Sequence, residues 1–292
     1  MRVNEEPVRV AFQGEPGAFS EEAAARLLGE YAVTIPQPTF EAAFSAAAVG
    51  LADALVVPIE NSLAGSVLRV YDLLLESKLA IAAETIVPVE LHLIACPGAT
   101  LGGIRSVESH PMALAQCERL FAAHREWARV AAEDTAGSVR RVVESGDRTR
   151  AAIAGARAAE RHDGVVLARN VQDSAGNYTR FLLLAEPAVA GPQTGGKVTL
   201  ALRLAHLPGA LLAALEPFAR RGLNLLKIES RPIHGCPWEY QFFLDVEAGP
   251  GEPLEDVLEE VRQNVQSLRV LGCYTAARPV GERIQVASGR IQ

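Results

Sequence analysis

Between residues 8 and 184, short apolar runs alternate with alanine-rich stretches of helical spacing, and this alternation restricts the chain to strands and helices taken in turn. Strands are expected at 8–12, 33–36, 54–59, 92–96, 130–132, 165–168 and 180–185, which implies an α/β architecture with a largely parallel sheet. Thr39 is placed to cap a helix ending at Gly50, and Pro111 sits where a first helical turn tolerates a residue without an N–H. The pattern stops at 186–197, where Pro187, Gly191, Pro192, Gly195 and Gly196 break both periodicities and mark a domain boundary.

Beyond that boundary Val198, Leu200, Leu202 and Leu204 alternate with smaller or polar residues, the pattern of a strand with one buried face. A helix follows from Gly209, with Leu211, Leu212, Leu215 and Phe218 on one side and Pro217 close to its end. Then come a strand at 227–233, an alternating run from Trp238 to Val246, a helix carrying Leu254, Val257, Leu258, Val261 and Leu268, and a last strand at 270–274. The order β-α-β-β-α-β is that of a ferredoxin-like unit. Its sheet carries helices on one face only, so the other face or edge needs cover, and a second copy of the chain is expected to supply it. Residues 276–292 have no apolar periodicity and are expected to form a disordered tail.

A length of 292 residues suits two or three such units. The net charge of -7, with no cluster of Lys or Arg, supplies no field for a polyanion, so nucleic acid is excluded as a partner. The polar start and the absence of an apolar run long enough to span a bilayer point to a cytoplasmic protein with no membrane partner. Cys96, Cys117, Cys236 and Cys273 are scattered without a CxxC pair, so they are read as reduced packing residues, with no metal site.

Three polar clusters stand at the ends of expected strands, where open α/β sheets present ligands. Gly14-Glu15-Pro16-Gly17-Ala18-Phe19-Ser20 follows the first strand; it lacks a nucleotide fingerprint and reads equally well as a turn capped by Ser20. Glu60-Asn61-Ser62-Leu63-Ala64-Gly65-Ser66 offers an amide and hydroxyls to a carboxylate, although Ser62 or Ser66 could simply cap the next helix. The third cluster runs from Asn170 through Gln172, Asn177 and Thr179 to Arg180 and Phe181, with Arg180 able to fork a carboxylate or to sit solvated.

Together with Ser109-His110-Pro111, the Glu-Asn-Ser-x-x-Gly-Ser and Asn-x-Thr-Arg-Phe runs resemble the signature set of prephenate dehydratases, over about residues 8–275. Pro208-Gly209-Ala210-Leu211 and Asn224-Leu225 to Ile228-Glu229-Ser230-Arg231-Pro232 resemble the regulatory ACT domain of that family. Met112 departs from the glutamine the family often has after His-Pro. No chorismate mutase bundle precedes Val8, so the resemblance is to the monofunctional form.

The resemblance implies a two-lobed catalytic domain like a type II periplasmic binding protein, at 7–186. Its lobes are expected at 7–90 plus 170–186 and at 91–169, with the ACT domain at 197–275. It implies conversion of prephenate to phenylpyruvate, water and carbon dioxide without a cofactor, and a homodimer or homotetramer regulated by L-phenylalanine. Thr179 is then the favoured proton donor, with His110 and Glu60 the other candidates, Glu60 only if its pKa is raised. Asn61, Ser62 and Arg180 would hold the pyruvyl carboxylate, and Gly65, Ser66, Asn177, Phe181 and Gln172 complete the substrate set. The effector set is Gly209, Ala210, Leu211, Asn224, Leu225, Glu229, Ser230, Arg231 and Pro232. Two other readings stay open: arogenate dehydratase, whose substrate carries an amine in place of the keto group, and a small-anion binding protein without catalysis.

Overall fold

The computed structural model describes residues 7–187, 196–233, 235–247 and 254–277, built on three sheets. All but the first two residues of the expected 276–292 tail lie outside the described residues. The first sheet contains β1 (Val8–Gln13), β2 (Ala32–Gln37), β3 (Ala54–Asn61) and β5 (Ala80–Pro88), with the two-residue β4 (Gly65–Ser66) hooked onto β3. The second contains β6 (His92–Ala95), β7 (Ser106–Ser109), β8 (Ala128–Ala131), β9 (Arg150–Ala154) and β10 (Val165–Ala168), in the order β10-β6-β9-β7-β8. The chain then returns: β11 (Tyr178–Ala185) inserts between β3 and β5, giving the first sheet its order β2-β1-β3-β11-β5.

That return corrects the expectation of a largely parallel sheet. β1 pairs parallel with β2 and β3, but β11 comes back from the second lobe in the opposite direction and pairs antiparallel with both neighbours. In the second sheet β6 is likewise antiparallel to β9 and β10. Strands β5, β7 and β9 escape the sequence pattern for local reasons. β5 carries a buried Glu84 among alanines, β7 is four residues long with Val107 its one apolar residue, and β9 is alanine-rich and reads as helix.

Helices cover these sheets. α1 (Phe19–Leu28), α2 (Phe40–Ala48) and α3 (Leu68–Glu76) belong to the first lobe. α4 (Pro111–Ala115), α5 (Glu118–Ala123), α6 (Ala136–Ser145) and α7 (Ala156–Arg161) belong to the second. Thr39 does cap α2, accepting from the Ala42 N–H at 3.1 Å, and Pro111 opens α4. Ser20 does not cap α1: the N-cap is Ala18, and Ser20 is buried one residue inside the helix. Neither Ser62 nor Ser66 caps α3, whose N-cap is Val67.

The first glycine cluster has a structural use. Gly17 adopts φ +90°, and a Cβ there would stand 2.5 Å from Cα of Ala158 in α7, so only glycine lets the two lobes touch at this point. Beside the contact, the buried carboxylate of Glu21 accepts from the Gly17 N–H and from Arg157 and Arg161 of α7.

The third sheet, β12 (Lys197–Arg203), β13 (Leu225–Pro232), β14 (Tyr240–Glu247) and β15 (Ser267–Tyr274), has the antiparallel order β13-β14-β12-β15. With α8 (Ala210–Arg220) and α9 (Leu254–Gln263) it follows the expected β-α-β-β-α-β order. Pro217 lies inside α8, three residues before its end, and so removes the hydrogen bond that an N–H there would give to the Ala213 carbonyl. Both helices pack on Val198, Leu200, Leu202, Leu244 and Val246. The other sheet face is not left for a second subunit. Ala201, Phe243, Leu271 and Tyr274 share one core with Tyr71 and Leu182 of the first lobe, and the rings of Tyr71 and Phe243 meet edge to face at 4.7 Å. β15 lies so close to β5 that a Cβ on Gly272 would stand 2.3 Å from the Ile81 carbonyl oxygen. Among the described residues no helix is long and apolar enough to cross a membrane.

Candidate active site

Between the two lobes lies a cleft of about 670 Å³, floored by the ends of β3 and β11 and walled by α1, α4 and the start of α6. Its geometry begins with an irregularity. Along β3, Val56 pairs with Leu183 and Pro58 with Phe181, but the next pair is Glu60 with Arg180, so Ile59 is an extra residue. Side chains alternate along a strand, and one inserted residue inverts everything after it. Unbroken alternation from Val56 and Pro58 would aim Glu60 into the cleft and Asn61 away from it. The bulge does the reverse: Asn61 joins Thr179 on the cleft floor, and Glu60 joins Arg180 on the far face.

On the floor, hydrogen bonds fix each group in turn. The Asn61 Oδ1 accepts from the Leu63 and Ala64 N–H groups at 3.0 and 2.8 Å, which forces its Nδ2 toward Asn177 Oδ1 at 2.7 Å and Thr179 Oγ1 at 2.9 Å. Asn177 Nδ2 in turn donates to Gln116 Oε1 at 2.9 Å, linking the returning strand to the second lobe. Since the Thr179 oxygen accepts from Asn61, its own proton is left to donate, and no acceptor for it stands among the described residues. His110 caps α4, its Nδ1 accepting from the Met112 N–H at 3.2 Å, so Nε2 is the nitrogen left for the cleft it lines. Gln116, the C-cap of α4, is not among the residues singled out from sequence, because six residues after His110 is not a same-face helical spacing and nothing local marks it.

The far face corrects two expected roles. Arg180 is buried, with Nε on Glu60 at 2.6 Å, Nη1 on Glu84 at 3.0 Å and Nη2 paired with Asp245 at 2.8 Å. All three nitrogens face protein carboxylates, so it has none to offer a substrate. Glu60 takes a second cation, Lys227, at 2.5 Å. Burial pushes the Glu60 carboxyl up, but Arg180 and Lys227 outweigh it and hold it below its ordinary value, the opposite of what an acid at neutral pH requires. Lys197 joins the network between Glu84 and Asp245. Three carboxylates and three cations thus meet where the third sheet lies against the first.

The remaining expected residues disperse. Ser62 ties the turn after β3 to the segment entering β11, its Oγ donating to the Gly176 carbonyl and accepting from the Tyr178 N–H. Gly65 takes φ +81° at the start of β4, and Ser66 hydrogen-bonds Glu229. The Gln172 Oε1 accepts from the Leu91 N–H near the crossing between lobes, and Phe181 is core. Of the effector set, Gly209 at φ +82° is the N-cap of α8, and Ala210 and Leu211 line a separate hollow of about 160 Å³ with Trp238 and Phe242. Asn224 gives its carbonyl to the Glu247 N–H, and Leu225 packs on the third core. Ser230 and Pro232 face solvent, while Glu229 and Arg231 turn to Ser66 and Asp72 of the first lobe. The buried Cys117 thiol is pushed up to about 12 by burial, which makes it inert.

The family model for prephenate dehydratase matches residues 10–189. The chain belongs to the prephenate dehydratase family. It is 42% identical to arogenate dehydratase 3, chloroplastic, of Arabidopsis thaliana, over 91% of this chain and 67% of that protein. A solved prephenate dehydratase from Arthrobacter aurescens, in complex with L-Phe, is 33% identical, with a TM-score of 0.84 for a second structure and 0.83 for this one. The Arthrobacter match covers 92% of this chain and 90% of that one. The second structure, 36% identical over 93% of this chain and 98% of its own, is described as a quorum-quenching acylase of a novel type.

The charge network of this dehydratase-family chain makes its stability depend on pH. Glu60 is held below 4.5, its ordinary value, so its contribution is present above about pH 4.5 and is lost as pH falls through the lower folded value. In chemical denaturation at pH 7, Glu60→Gln is expected to be less stable than the parent, with the gap narrowing as the pH falls below about 4.5. A gap that widens on acidification would contradict the network.

Proposed function

We propose that this chain catalyses the decarboxylating dehydration of prephenate to phenylpyruvate, with the Thr179 hydroxyl as the group that meets the leaving oxygen. The observation that carries this reading is the direction of the Asn61–Thr179 hydrogen bond, which leaves the Thr179 proton to point at a ligand. In the reaction the bond from the ring to its carboxylate breaks, its electron pair enters the ring, and the C–O bond at the opposite carbon breaks as the ring becomes aromatic. Carbon dioxide leaves from one end and water from the other. An alcohol is a weak acid, so Thr179 acts by hydrogen-bonding the departing oxygen, with the proton that makes it water supplied from solvent. Gln116 and Asn177 hold the geometry and offer amide N–H to the substrate. A cleft without a cation on the departing carboxylate also suits the chemistry, since binding that group tightly in the ground state would oppose its loss.

The charge of the cleft favours a second reading of the substrate, arogenate, whose side chain bears an ammonium. Glu15, Glu41, Glu133 and Asp134 line the hollow, and among the described residues no Lys or Arg does. Glu41 is paired with Arg69, and Glu15 lies 3.5 Å from Arg140. Asp134 differs: its Oδ1 is buried without a hydrogen-bond partner, and although it immediately precedes the Thr135 N-cap of α6 it caps nothing. Two like charges 5 Å apart repel by roughly 3 kcal/mol at an effective dielectric near 20. An ammonium beside Asp134 removes that repulsion, and a keto group does not.

Acyl transfer, the activity ascribed to one structural relative, needs a nucleophile activated by a base. Ser20, Thr39, Thr135 and Thr179 line the cleft, but none of these hydroxyls is hydrogen-bonded to His110. Regulation by L-phenylalanine belongs to the same proposal, supported by the relative solved in complex with it. So do a cytoplasmic location and a homodimer or homotetramer. With the sheet face already covered, edge strand β13 and helix α8, which expose Leu226, Ile228 and Leu212, are the surfaces for a second copy.

Purified protein is to be assayed on prephenate and arogenate in parallel. Thr179→Val should lower kcat on the preferred substrate by about 10²- to 10⁴-fold with KM little changed; turnover equal to the parent would remove Thr179 from the chemistry. Asp134→Asn should raise KM for arogenate about tenfold or more and lower KM for prephenate by relieving the repulsion, and a change in the same direction on both would refute the ammonium contact.

A further inference from the structure

The regulatory unit reaches the far side of the cleft floor through one side chain that no motif singled out. Lys227 lies on β13 and is mostly buried. Its Nζ donates to Glu60 Oε2 at 2.5 Å and to Ser66 Oγ at 3.0 Å. Glu60 and Ser66 are cross-strand partners in the short β3–β4 ladder, and the next pair in that ladder is Asn61 with Gly65. One ammonium therefore bridges both strands of the hairpin, one residue from the amide that orients Thr179. The Ser66 hydroxyl, accepting from Lys227, donates in turn to the Glu229 carboxylate.

We infer that Lys227 is a positioning residue for the dehydratase reaction, holding the Glu60–Ser66 pair closed so that Asn61 keeps its hydrogen bond to Thr179. The mechanism works through small distances. Asn61 Nδ2 stands 2.9 Å from Thr179 Oγ1, and a hydrogen bond is lost beyond about 3.5 Å, so a hairpin shift of about 0.6 Å frees the Thr179 hydroxyl to rotate. Ser66 and the Leu63 and Ala64 N–H groups that fix Asn61 Oδ1 belong to one six-residue turn, so opening the ladder at Ser66 moves them together. A lysine that only docked the third sheet would leave this turn unaffected, because Arg180, Lys197 and the Tyr71–Phe243 core hold that contact independently.

The same contact supplies a route for regulation. Glu229 holds the Ser66 hydroxyl in this structure, and a ligand that draws Glu229 away leaves Ser66 with Lys227 alone. The kinetic part of this inference rests on the dehydratase reading; the structural part does not.

The test uses the full chain with Lys227→Met, Lys227→Arg and, from the opposite side of the contact, Ser66→Ala. Two readouts are taken: kinetics on whichever substrate the parent turns over, and hydrogen exchange of the backbone amides at 59–67. Lys227→Met and Ser66→Ala are expected to lower kcat about ten- to a hundredfold with KM changed less than twofold, and to speed exchange at 59–67 about tenfold while distant peptides are unchanged. Lys227→Arg, which keeps the charge and the donors, should recover most of both. Parent-like exchange at 59–67 in Lys227→Met and Ser66→Ala, or parent-like kcat despite faster exchange, overturns the proposal. A parent inactive on both substrates refutes the proposed reaction instead, and the exchange comparison still decides whether Lys227 holds the hairpin.

Discussion

One inserted residue, Ile59, organises both faces of the central sheet. By inverting the alternation at the end of β3 it sets Asn61 beside Thr179 in the cleft and Glu60 beside Arg180 at the contact with the third sheet. The two pairs are neighbours in the same ladder, so the groups facing the cleft and the groups facing the third sheet share a backbone. A bulge of this kind re-aims a side chain without changing the path of the strand, and its position at the mouth of the cleft is where such a change has chemical effect.

What holds the far face is a charge cluster of Glu60, Glu84 and Asp245 with Arg180, Lys197 and Lys227, and Glu229 stands 3.9 Å from Lys227 at its margin. Clusters of this kind add little net stability over an apolar packing of equal volume, yet losing one member leaves an uncompensated buried charge at a cost of about 3–5 kcal/mol. The arrangement is therefore a device for register. It lets the third sheet sit on the first in one position, with Phe243 on Tyr71 and Gly272 against Ile81. Thr199 donates to Asp245 Oδ1 and accepts from the Tyr274 hydroxyl, and burial together with the nearby carboxylates keeps that hydroxyl protonated by raising its pKa well above the usual value.

Much of this was legible in the sequence, and the failures have specific causes. The order of elements in the last third, the cap at Thr39 and the proline opening α4 all follow from local rules that tertiary context did not override. Thr179, Asn61, Asn177 and His110 do share one hollow. Glu60 and Arg180 do not, because a reading by adjacency treats neighbours in a motif as neighbours in space, whereas a strand sends them to opposite sides. Only the pairing with β11 reveals the bulge, and pairing is a long-range fact. Gln116 was overlooked because an amide on a short helix carries no local signature. The antiparallel return of β11 and the cover of the third sheet by the same chain depend likewise on contacts between segments over a hundred residues apart.

The central claim is that Asn61 serves the reaction through Thr179. A double-mutant cycle on kcat/KM with Asn61→Leu and Thr179→Val tests it directly, because residues that act as a unit are strongly non-additive. The expected result is a double variant about as slow as the slower single variant. Independent contributions, with the two losses multiplying in the double variant, would contradict the account.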